Sequence, residues 1–444
     1  WWPPLDRAPE GSPNVVMVLL DDVGYAQFGC YGSDIDTPTF DRMAAGGLRY
    51  SNFHTTALCS PTRACLLTGR NHHANGMARI VEFASGFPGY NATIPPENGF
   101  ISEVLVRNGY STFAVGKWHL APASEMHLGG PRHHWPLGKG FERYYGFLAG
   151  ETDQYHPDLI DDNHQIPVPR TPEEGYHLTE DLADRAIGYV KDLRAYSPDK
   201  PFFLYLALTT PHANNERTRM LGNGAAVPDF GPYVNKDWPE QDKGHAAMIT
   251  RLDQHVGAML SELRTLGLDQ NTLVIFTSDN GPHNESRHDL KRFEPSGPYS
   301  GIKRSLTDGG IRVPMIAWWP GHVAPNSTSS HVGYFGDLMA TVTELAKVEC
   351  PSGRDSLSLV PVLTGAEAKA QNHEWLYWEF HEGGFRQAAL YQRRWKGIRA
   401  GSPNAPIRLY DLQTDAAEQN DLADKEPAIA ATISDYLKTA RTDS

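Results

Sequence analysis

The chain has 444 residues, 40% of them hydrophobic and 21% charged, enough for one large α/β domain and a smaller unit. A formal net charge of −13 and a pI near 5.8 argue against a nucleic-acid partner, although a metal and a few cations can still dominate one pocket for an anion. The longest apolar runs, Val15–Leu20 and Phe202–Leu208, are far too short to cross a bilayer, and four cysteines are too few for a disulfide scaffold.

In chain order, Trp1-Trp2-Pro3-Pro4 comes first, without a methionine or a signal peptide, so the numbering is expected to begin inside a longer gene product. A periplasmic or secreted setting is favoured and a cytoplasmic one stays open. Val15–Leu20 then runs into Asp21-Asp22. Next comes Cys59-Ser60-Pro61-Thr62-Arg63, continuing to Arg70. A cysteine at the foot of a helix is a candidate nucleophile, because free N–H groups and a nearby arginine favour negative charge there. The spacing suits neither a cysteine phosphatase loop nor a thiol protease. A helix over Glu97–Asn108 stops at Gly109, and Ser111–Val115 leads into Gly116-Lys117-Trp118-His119. A second helix covers Leu178–Leu193, and Phe202–Leu208 leads into Thr209-Thr210-Pro211-His212. His245–Leu266 carries an apolar stripe stopped by Gly267, and Thr272–Thr277 leads into Ser278-Asp279-Asn280-Gly281. Segments 213–245 and 283–300, rich in Pro, Gly, Asn and His, are expected to be loops around the mouth of a site.

Near-continuous apolar runs of this length predict strands of a parallel sheet buried on both faces, and their alternation with helices predicts a doubly wound, mostly parallel sheet flanked by helices. Ligands of such sheets bind beyond the carboxyl ends of the strands, where all four polar clusters lie. Beyond residue 365, Trp375–Phe380, Gln387–Arg399 and Ile407–Leu412 predict an antiparallel meander, closed by a helix over Pro427–Arg441. The expected division is therefore a catalytic domain over 1–365 and a small α+β subdomain over 366–444.

Asp21, Asp22, Asp279 and Asn280 offer three carboxylates and an amide oxygen from strand ends, a set suited to a hard cation, calcium or magnesium, rather than to zinc. Singly, either pair is more ordinary as a helix cap or a turn. Lys117, His119, His212, Lys303 and Arg63 would add positive charge around a tetrahedral anion and an acid for its leaving oxygen.

Asp21-Asp22, CSPTR, GKWH, TTPH, SDNG and Gly301-Ile302-Lys303-Arg304, followed by Gly309–Pro314, stand in the order found in formylglycine-dependent type I sulfatases of the alkaline phosphatase superfamily. With Leu409-Tyr410-Asp411-Leu412, which resembles that family's second domain, the likeness covers nearly the whole chain. After Asn271 the chain is most similar to the arylsulfatase A and N-acetylgalactosamine-6-sulfatase branch, while Cys59 to Gly150 also resembles larger bacterial arylsulfatases. The resemblance implies an alkaline-phosphatase-like fold and hydrolysis of sulfate monoesters, with a sulfated sugar or other small sulfate ester as substrate. It implies that Cys59 is oxidised to formylglycine (3-oxoalanine) by a formylglycine-generating enzyme and supplies the attacking gem-diol oxygen. Asp21, Asp22, Asp279, Asn280 and position 59 then hold calcium, and Asp279 helps to deprotonate the nucleophile. Arg63 and Lys117 orient the hydrated aldehyde, His119 assists sulfate release, and His212 and Lys303 contact the sulfate, one of them protonating the leaving alcohol. Thr62 stands where the family more often has Ser. Other readings stay open: a phosphodiesterase or phosphonate monoester hydrolase of the same superfamily, an inactive carbohydrate-binding relative, and a calcium-independent cysteine hydrolase. His133, His134, Trp135 and the histidines at 283 and 288 lie on loops where they either contact the substrate's alcohol portion or face solvent.

Overall fold

A computed structural model describes residues 7–442; the Trp1–Pro4 opening lies outside them. Asn14–Leu20, with no polar residue after Asn14, forms a strand at the centre of an eleven-stranded sheet. Phe202–Ala207 and then Ser111–Lys117 and Arg143–Phe147 lie to one side of it, and Thr272–Ser278 to the other, all parallel. Beyond Thr272–Ser278 the sheet continues through Arg312–Trp318, which is antiparallel to both of its neighbours, to Leu48–His54 and Ser327–Ser329.

The central strand shows why both faces had to be apolar. Val15, Met17 and Leu19 enter one core, with Leu66, Leu338 and Met339 of the helices Cys59–Thr68 and Asp337–Leu345. Val16, Val18 and Leu20 enter the other, against Leu182 and Leu252 of Leu178–Tyr196 and Glu240–Thr265. Successive side chains of a strand alternate faces, so one six-residue apolar run serves both layers.

A separate four-stranded antiparallel sheet follows: Trp375–Glu379, Arg386–Tyr391, Trp395–Ala400 and Ile407–Asp411. One face packs on the helix Pro427–Tyr436 through Tyr377, Leu409 and Ile433. The other contributes Leu376, Trp378 and Leu390 to the main core. From that face Trp378 Nε1 donates to the Thr55 carbonyl (2.7 Å), four residues before Cys59.

Several expectations change. The helix expected over Glu97–Asn108 is a single 3₁₀ turn, Pro96–Asn98, and a helix over Ile101–Arg107. The strand expected over Gln387–Arg399 is a hairpin of two. The segments expected as loops contain a capped helix, Asn215–Leu221, the first turn of Glu240–Thr265, and a short helix, Leu290–Phe293. No helix among the described residues is long and apolar enough to cross a membrane.

Candidate active site

The register that pairs Leu20 with Ser278 sets Asp21 and Asp22 beside Asp279 and Asn280 at the carboxyl edge of two adjacent strands. The Asp279 N–H donates to the Leu20 carbonyl (3.0 Å), and the Asp22 N–H donates to Asp279 Oδ1 (3.2 Å). Asp22 has φ +70°, an uncommon conformation that turns the chain sharply out of the sheet.

The helix carrying the cysteine begins at Cys59 and is buried over all ten of its residues. Its entry is fixed by threonines: Thr62 Oγ1 lies 2.7 Å from both Thr55 Oγ1 and Thr56 Oγ1, and Thr55 Oγ1 also donates to the Asp279 carbonyl (2.9 Å). Cys59 Sγ thereby sits 3.5 Å from Asp21 Oδ1. One turn on, Arg63 donates to Asp279 Oδ2 through Nη2 (2.8 Å) and Nε (3.1 Å), and through Nη1 to the Lys117 carbonyl (3.0 Å).

The remaining cations arrive from two other strand ends and, for Lys303, from the loop before Asp308–Ile311. Lys117 Nζ donates to Asp21 Oδ2 (2.7 Å) and Lys303 Nζ to Asp22 Oδ2 (2.8 Å). His212 Nδ1 faces the Ala213 carbonyl (2.8 Å), so it carries the hydrogen, and its Nε2 lies 3.5 Å from Lys303 Nζ. His119, at φ +58°, places Nε2 2.9 Å from Glu82 Oε2. The structure therefore brings together Asp21, Asp22, Cys59, Arg63, Lys117, His212, Asp279, Asn280 and Lys303, with His119 beside them.

Burial sets the charges. It pushes the Cys59 thiol well above its ordinary range, helped by Asp279 and Asp21 and opposed by Lys117 and Lys303. Burial also raises Asp279, with repulsion from Asp21, to about 6 against the pull of Arg63 and Lys117. Asp22 behaves oppositely: burial would raise it, but Lys303, His212, His283 and Lys117 hold it well below the usual carboxylate range. His212 is lowered to about 3 by burial and by Lys303.

Ligand atoms of Asp21, Asp22, Cys59 and Asp279 all lie within 4.8 Å of one another. Asn280 Nδ2 donates to Asp22 Oδ1 (2.7 Å), which leaves Asn280 Oδ1 buried without a hydrogen-bond partner among the described residues. Three carboxylates and a free amide oxygen fit a hard dication.

Two acids had no signal in the sequence. Glu82 stands on a single turn, and Glu285 bonds both Lys303 Nζ (3.1 Å) and Arg304 Nη1 (2.6 Å) from inside the 283–300 segment. Of the loop residues, Trp135 is core, and His283 and His288 are buried beside His245, the His245 and His288 rings stacking at 3.7 Å. His134 pairs with Glu125, and His133 alone is exposed.

The profile of the Sulfatase family matches residues 13–348, and that of the N-sulphoglucosamine sulphohydrolase C-terminal region matches residues 301–443. N-acetylgalactosamine-6-sulfatase of Rattus norvegicus is 32% identical over 380 residues, 79% of this chain and 66% of that protein. The match thus spans just under two thirds of the rat protein's length. Arylsulfatase A of Homo sapiens is 32% identical over 373 residues, 80% of this chain and 68% of that protein. The crystal structure of Ps i-CgsB in complex with k-i-k-neocarrahexaose superposes with a TM-score of 0.80 at 26% identity, over 97% of this chain and 92% of that one. The mostly parallel main sheet with a small antiparallel sheet is the alkaline-phosphatase-like architecture of these neighbours.

Proposed function

The chain belongs to the sulfatase family, and from that membership we propose that it is a sulfuric ester hydrolase acting on sulfate monoesters, with a sulfated sugar as the natural substrate class. The observation that carries the reading is Cys59 at a helix start, 3.5 Å from Asp21, amid five basic side chains and four oxygen donors. The sugar substrate is supported by the names of the relatives and by the oligosaccharide complex among the solved neighbours.

In this reading Cys59 is matured to formylglycine by a formylglycine-generating enzyme, and the modified residue supplies the attacking oxygen. Asp21, Asp22, Asp279, Asn280 and position 59 would hold a calcium ion, which when bound would supply positive charge to stabilise the sulfate. Arg63 and Lys117 fix the nucleophile's orientation, each already anchored to an aspartate of the metal set. Asp279, a member of the same set, takes the nucleophile's proton. His212 and Lys303 receive the sulfate; its charge offsets Lys303, raises the proton affinity of His212 Nε2, and lets the pair deliver a proton to the departing alcohol. His119 acts as the base for sulfate release.

The test is a Cys59→Ala variant assayed on paired aryl sulfate and aryl phosphate esters, with the mass of the unalkylated peptide carrying position 59. The expected outcome is a thiol-to-aldehyde mass loss, preference for the sulfate ester, and activity at background in Cys59→Ala. Full activity in that variant would overturn the reading, and a preference for phosphate would replace it with the phosphoesterase alternative.

A further inference from the structure

His119 is held more elaborately than an ordinary buried histidine. A carboxylate at neutral pH only accepts hydrogen bonds, so the contacts of Nε2 with both Glu82 oxygens, at 2.9 and 3.1 Å, place the ring hydrogen on Nε2. Nδ1 is buried and has no hydrogen-bond partner among the described residues. In the neutral ring that nitrogen is a bare lone pair, a base without an assigned proton donor.

Two separate segments close around the ring. Glu82 comes from the turn Val81–Phe83, and its side chain is 41% exposed, so it connects the buried ring to water. The His119 N–H donates to the Leu148 carbonyl (3.0 Å), which holds the ring's backbone against the segment after Arg143–Phe147. Two residues on, Gly150 leaves the space the pair occupies. A Cβ there would stand 2.8 Å from His119 Nε2 and Cε1 and 2.9 Å from Glu82 Oε1.

The groups acting on the ring have opposite signs. Burial, Lys117 and Arg63 depress its proton affinity, and Glu82 alone restores part of it; the net value lies below the ordinary histidine range. Glu82, despite partial burial, is held at about 2 by His119, by a backbone hydrogen bond and by Lys117. The pair thus combines a fixed carboxylate with a ring that is neutral at rest.

We propose that Glu82 is the positioning residue of His119, fixing the Nε2–H tautomer so that Nδ1 accepts the proton released at position 59 and the resulting imidazolium is stabilised by a carboxylate open to solvent. As sulfate leaves, the remaining hydroxyl of the sulfated position 59 gives its proton to Nδ1, its oxygen forms the aldehyde C=O and the carbon–oxygen bond to sulfate breaks; the Nε2 hydrogen stays shared with Glu82, and the ring's positive charge meets one negative charge. This rests on the sulfatase reading of position 59.

The experiment uses the full chain with Glu82→Gln, Glu82→Asp and Gly150→Ala. Histidine-selective 15N NMR, with the His119 signals assigned by their loss in His119→Asn, follows the ring's tautomer and titration whatever the state of position 59. Glu82→Gln should lower the His119 titration midpoint by about one pH unit. It should reduce kcat about 10- to 100-fold while KM stays within about twofold. Glu82→Asp should recover most of that loss, and Gly150→Ala should resemble Glu82→Gln. An unshifted titration, or kcat within about twofold of the parent in Glu82→Gln, overturns the assignment. If Cys59→Ala is inactive while Glu82→Gln is normal, only the role of Glu82 fails; if Cys59→Ala is active, the underlying reading fails instead.

Discussion

Asn280 gives its amide nitrogen to Asp22 and to the Gly281 carbonyl and leaves Oδ1 buried with no donor among the described residues. An unsatisfied buried acceptor costs about 1–3 kcal/mol, a cost that a cation beside it removes. Calcium should therefore raise the melting temperature, with stabilisation of about 2.7 kcal/mol at a hundredfold excess over Kd. In Asn280→Ala most of that gain should disappear, and the metal-free protein should itself lose about 1–3 kcal/mol, because buried Asp22 Oδ1 and the Gly281 carbonyl lose their donor. Scanning fluorimetry with and without calcium checks this, and an undiminished calcium shift in the variant would remove Asn280 from the ligand set. At this scale the sequence was informative wherever a functional side chain ends a strand or follows it within a few residues, as at Asp21, Lys117, His212 and Asp279. Glu82 and Glu285 were invisible because each is brought to the site by a loop path that no periodicity encodes.

Between elements, the close approach of two turns shapes the site as much as any side chain. Gly281, next to Asn280, lies so near the turn Asp308–Ile311 that a Cβ would stand 2.0 Å from the Gly309 carbonyl oxygen. That neighbour is backbone and cannot rotate away. Gly281→Ala should cost about 3 kcal/mol in urea denaturation and lower activity with it, because the strand end bearing Asp279 must shift. A stability change under about 0.5 kcal/mol would mean that the turns move apart freely. The same contrast between face and edge explains which strands were legible. Asn14–Leu20 and Thr272–Ser278 are buried throughout, so they are apolar throughout. Leu48–His54, LRYSNFH, carries Arg, Ser and Asn at its half-buried positions, and its pattern resembles a loop. The hairpin inside 387–399 was missed for another reason: its turn places Gln392 and Arg393 at positive φ, where glycine or asparagine would have announced it.

Across the whole molecule the two sheets are joined by buried charge as well as by apolar packing. Lys396 of the small sheet is fully buried and bonds Asp308 (2.6 Å) and Glu418 (2.9 Å), so the turn that meets Gly281 is tethered to the C-terminal region. We propose the division into 1–365 and 366–444 as one of connectivity, with the two parts sharing a core. Stability should depend on pH through histidines kept neutral by burial: His72 at about 3, His177 at about 4 and His288 at about 3. Unfolded, they titrate near 6.5. Above that value neither state binds the protons; below it the unfolded chain binds them first, so stability falls as pH drops from about 6.5 toward the folded values. Urea midpoints should be lower at pH 5 than at pH 7, and His177→Gln should flatten the difference. The burial of Cys59 sets a limit of another kind, in time. At 3% exposure its thiol is beyond the reach of a second protein's active site. Asp279 and Lys303, which act on the buried thiol, are synthesised more than two hundred residues after it. The proposed oxidation therefore belongs to that interval, while position 59 is still part of an open chain, and a molecule that folds first keeps its thiol.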